Sequence, residues 1–84
     1  MIYVNPNWTY RESVEHIQTL KDEYQRILSS FSVWQKREWA EFIASTREQF
    51  YKLNLMEWQK DNLWNCMNDN FPYSYLVRSA SRYK

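Results

Sequence analysis

The chain has 84 residues, with 11 Lys and Arg against 10 Asp and Glu, and it contains no glycine. Its length predicts a single domain over 1–84, and its near-neutral charge excludes a global basic field for binding nucleic acid. Phosphate-cradling loops, dinucleotide fingerprints and nucleophile elbows all need the backbone freedom of glycine, so the composition also excludes those three kinds of site.

Aromatic rings supply much of the apolar surface, since the chain has 5 Trp, 7 Tyr and 4 Phe. A chain of this size buries only about 60–65% of the surface that its unfolded form exposes, so its core is thin. We therefore expect more aromatic surface than the core alone can cover.

The first predicted helix begins at Thr9, where Thr9-Tyr10-Arg11-Glu12 fits a capping box. Apolar side chains then recur every three or four positions, at Tyr10, Val14, Ile17, Leu20, Tyr24, Ile27, Leu28 and Phe31. Acidic residues lie on the opposite side of the helical wheel. The pattern predicts an amphipathic helix over about 10–29.

The second predicted helix, over about 33–53, begins at a capping box in Ser32-Val33-Trp34-Gln35. Its main apolar stripe contains Trp39, Phe42, Ile43, Phe50 and Leu53, and a second stripe of mostly smaller residues contains Val33, Ala40, Ala44 and Tyr51. A helix with two apolar faces needs two neighbours. We therefore expect this helix to be the middle and most buried element, with its alanines in close helix contact.

The third predicted helix covers about 55–68, with Asn54 as its N-cap. It ends where polar turn formers and Pro72 forbid continuation. The N-terminal segment before Thr9 is predicted to be extended, and residues 73–84 to be a short helix or an irregular tail. Together these elements predict an all-α, compact three-helix bundle.

No arrangement of side chains in the sequence predicts catalysis. Glu12, Glu15 and His16 lie close together, but both acids are on the predicted solvent face and no second Glu/His pair completes a di-metal site. Cys66 shares an apolar face with two leucines, as buried cysteines do, and one Cys with one His cannot form a structural zinc site. We expect no enzymatic activity, no metal and no cofactor.

Two tryptophans fall outside the main apolar stripes of their helices. Trp34 lies about 130° from the stripe of the second helix, and Trp58 about 140° from that of the third. A Trp ring on a polar face is costly to leave in water, so something is expected to cover each ring. Either the chain ends or a partner supplies that cover, and the sequence leaves both alternatives open.

The expected function is that of a non-catalytic protein–protein interaction module, since Trp and Tyr are common interface anchors. The predicted partner-binding residues are Trp34, Trp58, Tyr51, Lys36 and Lys60. Such modules serve as adaptors, assembly factors or inhibitors, including viral or phage proteins that act on host complexes. A homo-oligomer is also predicted.

The C-terminal tail offers an alternative function. It carries cations and rings with no acid, at Tyr75, Arg78, Arg82, Tyr83 and Lys84. This combination is typical of segments that bind nucleic acid or an acidic partner. The other interpretation is a segment that docks on the thin core.

The N-terminus has no basic region followed by an apolar run, and no apolar stretch approaches the about 20 residues that cross a bilayer. We therefore expect a cytoplasmic protein, in the host cytoplasm if it is viral, with no membrane partner.

Overall fold

The computed structural model describes residues 2–82, and over that range helices are the only regular secondary structure. The four α-helices are α1 Tyr10–Ser30, α2 Lys36–Tyr51, α3 Glu57–Met67 and α4 Tyr73–Arg82, and a 3-10 turn, Val33–Gln35, joins α1 to α2. The predicted all-α class is confirmed. Of the two forms predicted for the tail, the short helix is the one observed.

Helix α1 forms as the sequence predicts. The Glu12 backbone N–H donates to Thr9 Oγ1 at 3.1 Å, and the Thr9 backbone N–H donates to Glu12 Oε1 at 3.0 Å. The hydrogen bond from the Thr9 backbone N–H is the main cause that holds the pKa of the Glu12 carboxyl below its usual value. The helix buries Tyr10, Ser13, Val14, Ile17, Leu20 and Tyr24, so its apolar stripe is its core face.

Helix α2 is not the middle of the domain, and that prediction is wrong. Only Thr46 and Phe50 of this helix are buried, and both Ala40 and Ala44 are exposed. Large rings occupy the space between α1 and α2, where Tyr24 stacks on Phe42 with 5.7 Å between ring centroids. Both alanines stay exposed in the described chain, and their place in α2 is explained by alanine's high helix propensity.

Helix α3 takes the central position instead, because it contacts each of the other three helices. It buries Leu63, Cys66 and Met67 against α1 and α4. The prediction that Asn54 is its N-cap is wrong. The cap is Met56, whose backbone N–H donates to Gln59 Oε1 at 2.9 Å.

The two ends of the described chain both dock on the core. In α4, Leu76 and Ala80 are buried, and Tyr10 Oη donates to Ser79 Oγ at 3.1 Å. At the other end Gln49 of α2 clamps the N-terminal segment, since Val4 N–H donates to Gln49 Oε1 at 2.9 Å and Gln49 Nε2 donates to the Ile2 carbonyl at 3.1 Å. These contacts add apolar side chains to a core that three helices alone would leave thin.

A left-handed residue ends α3, in a chain that has no glycine to place there. Asp69 has φ 62°, a conformation that Asp tolerates better than most residues. Its carboxylate forms an ion pair with Lys21 of α1. The hydrogen bond from Lys21 to Asp69 raises the pKa of the Lys21 ammonium. The turn that leads into α4 is therefore tied to the side of α1.

Candidate interaction surface

The junction between α1 and α2 exposes the largest apolar side chains that the structure leaves uncovered. We call this junction, formed by Leu28 and residues 31–41, the α1–α2 corner. Trp34 is 95% exposed and Val33 is 87% exposed. Within residues 2–82 no ring lies in stacking contact with Trp34. The predicted cover for this ring is thus not supplied by any part of the chain that the structure describes.

The backbone at the corner is set by a local cap. Helix α1 ends before Phe31, and the Ser32 backbone N–H then donates to Gln35 Oε1 at 3.0 Å. This bond holds the 3-10 turn, which places Val33 and Trp34 on the outside of the junction. Every residue from 32 to 41 is exposed, so the described chain covers little of the first turns of α2.

Helix α3 stops short of the corner. Its C-terminal end lies beside the middle of α1, where Gln25 Nε2 donates to the Met67 carbonyl at 3.0 Å and Tyr24 Oη lies 3.2 Å from Asn68 Oδ1. The last turn of α1 and the first turns of α2 extend beyond that point. The molecule measures 44 × 22 × 18 Å, which is elongated for a helical domain of this length.

A groove of about 340 Å³ lies at the corner. It is lined by Leu28, Phe31, Ser32, Val33, Lys36 and Trp39. Phe31 packs against Phe42 with 5.9 Å between ring centroids, so the groove has an apolar floor that belongs to the core. Its wall is Trp39, which is 39% exposed.

Four charged side chains of the corner have no ion pair within the part of the chain that the structure describes. Lys36, Arg37, Glu38 and Glu41 are all exposed. The other lysines that the structure describes are paired, as in Lys52 with Glu48 at 3.2 Å. The corner therefore combines apolar rings with charges whose partners are not in the described chain.

Trp58 lies in a different environment from Trp34. It is half-buried and packs edge-on against Tyr10 of α1, with 5.5 Å between ring centroids and an interplanar angle of 73°. An internal contact therefore covers part of this ring. That contact comes from Tyr10 in the first turn of α1, which belongs to neither of the chain ends that the sequence suggested as the cover.

Tyr51 and Lys60 lie near Trp58 rather than at the corner, and both have partners in the chain. Tyr51 Oη donates to the Asp61 carboxylate, and the Arg47 guanidinium lies 4.4 Å above the Tyr51 ring. Burial, together with the bond to Asp61, raises the pKa of the Tyr51 hydroxyl. Lys60 Nζ lies 3.4 Å from the Glu57 carboxylate. The five predicted partner-binding residues thus form two groups, with only Trp34 and Lys36 at the corner.

The predicted nucleic-acid residues lie on α4 or beyond it. Tyr75 is 44% exposed, packs against Phe71 with 5.1 Å between centroids, and lies one turn before the exposed Arg78. The Arg82 side chain, Tyr83 and Lys84 are outside the described part of the chain.

Sequence reasoning missed Val33 and Trp39 as members of the exposed surface. Each was assigned to an apolar stripe of α2, and Trp39 does share the face of Phe42 and Ile43. The core ends before that face does. The signal that identifies the corner is the run of charged residues between the two tryptophans, Lys36-Arg37-Glu38, which is typical of an exposed first turn.

Neither the described side chains nor the comparisons with known proteins assign an activity to the chain. Cys66 is buried, and burial raises the pKa of its thiol, which disfavours the thiolate that a nucleophile needs. In the described residues no three His, Cys, Asp or Glu side chains cluster to hold a metal, and no helix is long and apolar enough to cross a membrane. No family model, curated protein or solved structure matches the chain.

Proposed function

We propose that the protein is a non-catalytic protein–protein interaction module that binds its partner through the α1–α2 corner. The observation that carries this proposal is the exposure of Trp34, at 95%, beside Val33, at 87%. The other tryptophans are half-buried or line the corner groove. An adaptor, an assembly factor or an inhibitor would all use such a surface.

The energy available at the corner supports a binding role. A buried aromatic side chain removes about 150–250 Å² from water, which at about 25 cal/mol per Å² is worth roughly 4–6 kcal/mol before the costs of association. A single exposed Trp beside a groove thus has the size of a binding hot spot. The exposed cations Lys36 and Arg37 beside it supply polar contacts at the rim.

Site-specific photocrosslinking tests the proposal. A benzophenone amino acid replaces Trp34 in the full chain, expressed in the cells that naturally produce it. The control places the same group at Tyr3, which is 64% exposed and lies away from the corner. We expect a discrete protein adduct from position 34 that position 3 does not give. Identical adducts from both positions, or none from position 34, would contradict the proposal.

Nucleic-acid binding through the tail is the second candidate function, supported by the exposure of Tyr75 and Arg78 one turn apart on α4. Binding of a fluorescent single-stranded oligonucleotide at 50 and 200 mM salt tests it. Three cations predict a loss of about twentyfold in affinity over that range, and a chain with Arg78, Arg82 and Lys84 changed to Gln should not bind. No measurable binding at 50 mM salt would exclude this function.

A further inference from the structure

The first turns of α2 are only weakly packed. Residues 36–41 and the 3-10 turn before them are all exposed, although Trp39, at 39% exposed, is covered in part. Short helices are marginal in water, and most helical stability in proteins comes from packing an apolar face. This segment therefore has the form of an element whose packing is completed by another chain.

The charges of this segment are placed for an external contact. Lys36 and Arg37 lie in the first turn of α2, where the helix dipole disfavours positive charge. They form no ion pair within the described residues, and the same turn holds one acid, Glu38, against the two cations. Acidic groups that approach from outside would neutralise the remaining positive charge.

The order of the charges identifies what supplies those acids. Along α2 the two cations come first and two acids, Glu38 and Glu41, follow, so the segment is neutral as a whole. Arg37 and Glu41 lie one turn apart on the same face of α2. When two such helices lie antiparallel, Arg37 of each copy faces Glu41 of the other. The chain's net charge of +1 gives little repulsion between copies. A second copy of this chain therefore carries the complementary charges.

The apolar part of the corner is self-complementary too. Trp34 protrudes, and the neighbouring groove of about 340 Å³ has a size at the lower end of protein pockets. In a two-fold dimer each copy presents both a Trp34 ring and a groove to the other copy.

We infer that the α1–α2 corner is the contact of a two-fold homodimer in which the α2 helices of the two copies lie antiparallel. The inference rests on the proposed function, because it names a protein that the corner binds. Val33, Trp34 and Trp39 together expose roughly 400 Å² per copy, since a large ring buries about 150–250 Å². Over both copies this is roughly 800 Å², below the about 1,200 Å² of stable interfaces, so the dimer is weak.

Sedimentation equilibrium of the full chain from about 5 to 500 µM tests the dimer. We expect self-association that Trp34→Ala weakens at least about tenfold, as truncation of a hot spot does. The matched control is Tyr3→Ala, which removes another exposed ring and should change the Kd by less than about twofold. A monomer of 10.5 kDa throughout the range, or equal effects of the two variants, would overturn the inference.

Charge exchange tests the antiparallel arrangement. Lys36→Glu with Arg37→Glu should weaken the dimer at least about fivefold, because the pairing of Arg37 with Glu41 between copies is lost and like charges then face one another. Adding Glu38→Lys and Glu41→Lys restores the complementary order in both copies at once, and the Kd should return to within about threefold of the parent. A foreign partner would not be restored by that exchange. A failure of the fourfold variant to recover would overturn the arrangement.

The two proposals fail in different ways. A monomer in sedimentation with a foreign adduct at position 34 overturns the homodimer and supports the interaction module. A dimer that Trp34→Ala weakens, with no adduct at position 34 in cells, supports the homodimer and contradicts the cellular role. Circular dichroism of each variant confirms that the helices are intact, as expected for substitutions at exposed positions.

Discussion

The same three residues, Trp-Gln-Lys, occur at the starts of two helical segments of the protein. One triplet, 34–36, forms most of the 3-10 turn and the first residue of α2, and the other, 58–60, lies in the first turn of α3. In both, the glutamine side chain accepts a hydrogen bond from the backbone N–H three residues earlier, at 3.0 Å for Gln35 and 2.9 Å for Gln59. The local structure of the two triplets is therefore alike.

Their surroundings are not. Trp58 packs edge-on against Tyr10 and Lys60 pairs with Glu57, whereas Trp34 is exposed and Lys36 has no ion pair among the described residues. The difference arises because the first turn of α1 lies beside the triplet of α3, while α3 ends before it reaches the triplet of α2. A short motif can set its own backbone, but the rest of the chain decides whether its side chains are available to a partner.

The largest expected effect comes from a charge placed in the packed part of the molecule, with the same change at an exposed site of α2 as its control. Ala80→Glu places a carboxylate where α4 packs on the core, at a site that is 4% exposed, and should destabilise the fold by about 3–5 kcal/mol. Ala44→Glu changes an exposed site on α2 and should cost less than about 0.5 kcal/mol. Urea unfolding measures both. A large loss in Ala44→Glu would restore α2 to the middle of the domain.

The two tryptophans give the next largest difference. Trp58→Ala empties part of a packed site and should lower the free energy of unfolding by about 3 kcal/mol, which shifts the melting temperature by about 12–24 °C. Trp34→Ala should leave stability within about 0.5 kcal/mol of the parent, because its ring is in water. Thermal melts at equal protein concentration, low enough that only monomer is present, provide the comparison. Equal losses would show that the corner ring is part of the core.

These expectations show how much of the fold can be predicted from the sequence. The start of α1, its buried face and the turn at Ser32 follow from caps and apolar spacing, which are local properties of the chain. The packing of α2 does not follow, because it depends on α4 filling the space beside α1. The sequence of α2 alone does not indicate that its alanines are exposed.

The candidate site was predictable in part for the same reason. Helix geometry places Trp34 and Trp58 outside their stripes, and that geometry is local. Which of the two rings is covered depends on Tyr10, some fifty residues from Trp58 in sequence. The helical spacing of apolar residues specifies which face of a helix is apolar, but it contains no information about where along that face the neighbouring helix ends.

Tyr24 provides a smaller effect that is confined to the packed end. Its hydroxyl is buried and lies 3.2 Å from Asn68 Oδ1, and burial raises its pKa. A group whose pKa is raised by folding contributes stability below its unfolded pKa, near 10, and loses it as the pH rises through the folded value. Tyr24→Phe should cost about 1 kcal/mol at pH 7 and should make the loss of stability between pH 9 and about 11 shallower.

Urea unfolding at several pH values measures that slope. Tyr3→Phe is the control, because Tyr3 is exposed and its substitution should leave the alkaline slope as it is in the parent. A slope that Tyr24→Phe leaves unaltered would mean that other groups account for the alkaline loss of stability.

The smallest effect tests the likeness of the triplets rather than their difference. Gln35→Ala and Gln59→Ala each remove one side-chain acceptor from a backbone N–H at the start of a helix, at Ser32 and Met56 respectively. Both N–H groups are at exposed positions, so water replaces the lost acceptor and each variant should cost about 0.5–1 kcal/mol. Because the two caps have the same geometry, the two losses should agree within about 0.3 kcal/mol, although the neighbouring tryptophans differ several-fold in their contribution to stability. Urea unfolding of the two variants and of the double variant, which should show additive losses, measures this. A loss at Gln59 well above that at Gln35 would show that tertiary packing strengthens the cap of α3, and the separation between local backbone and tertiary surroundings would then be wrong.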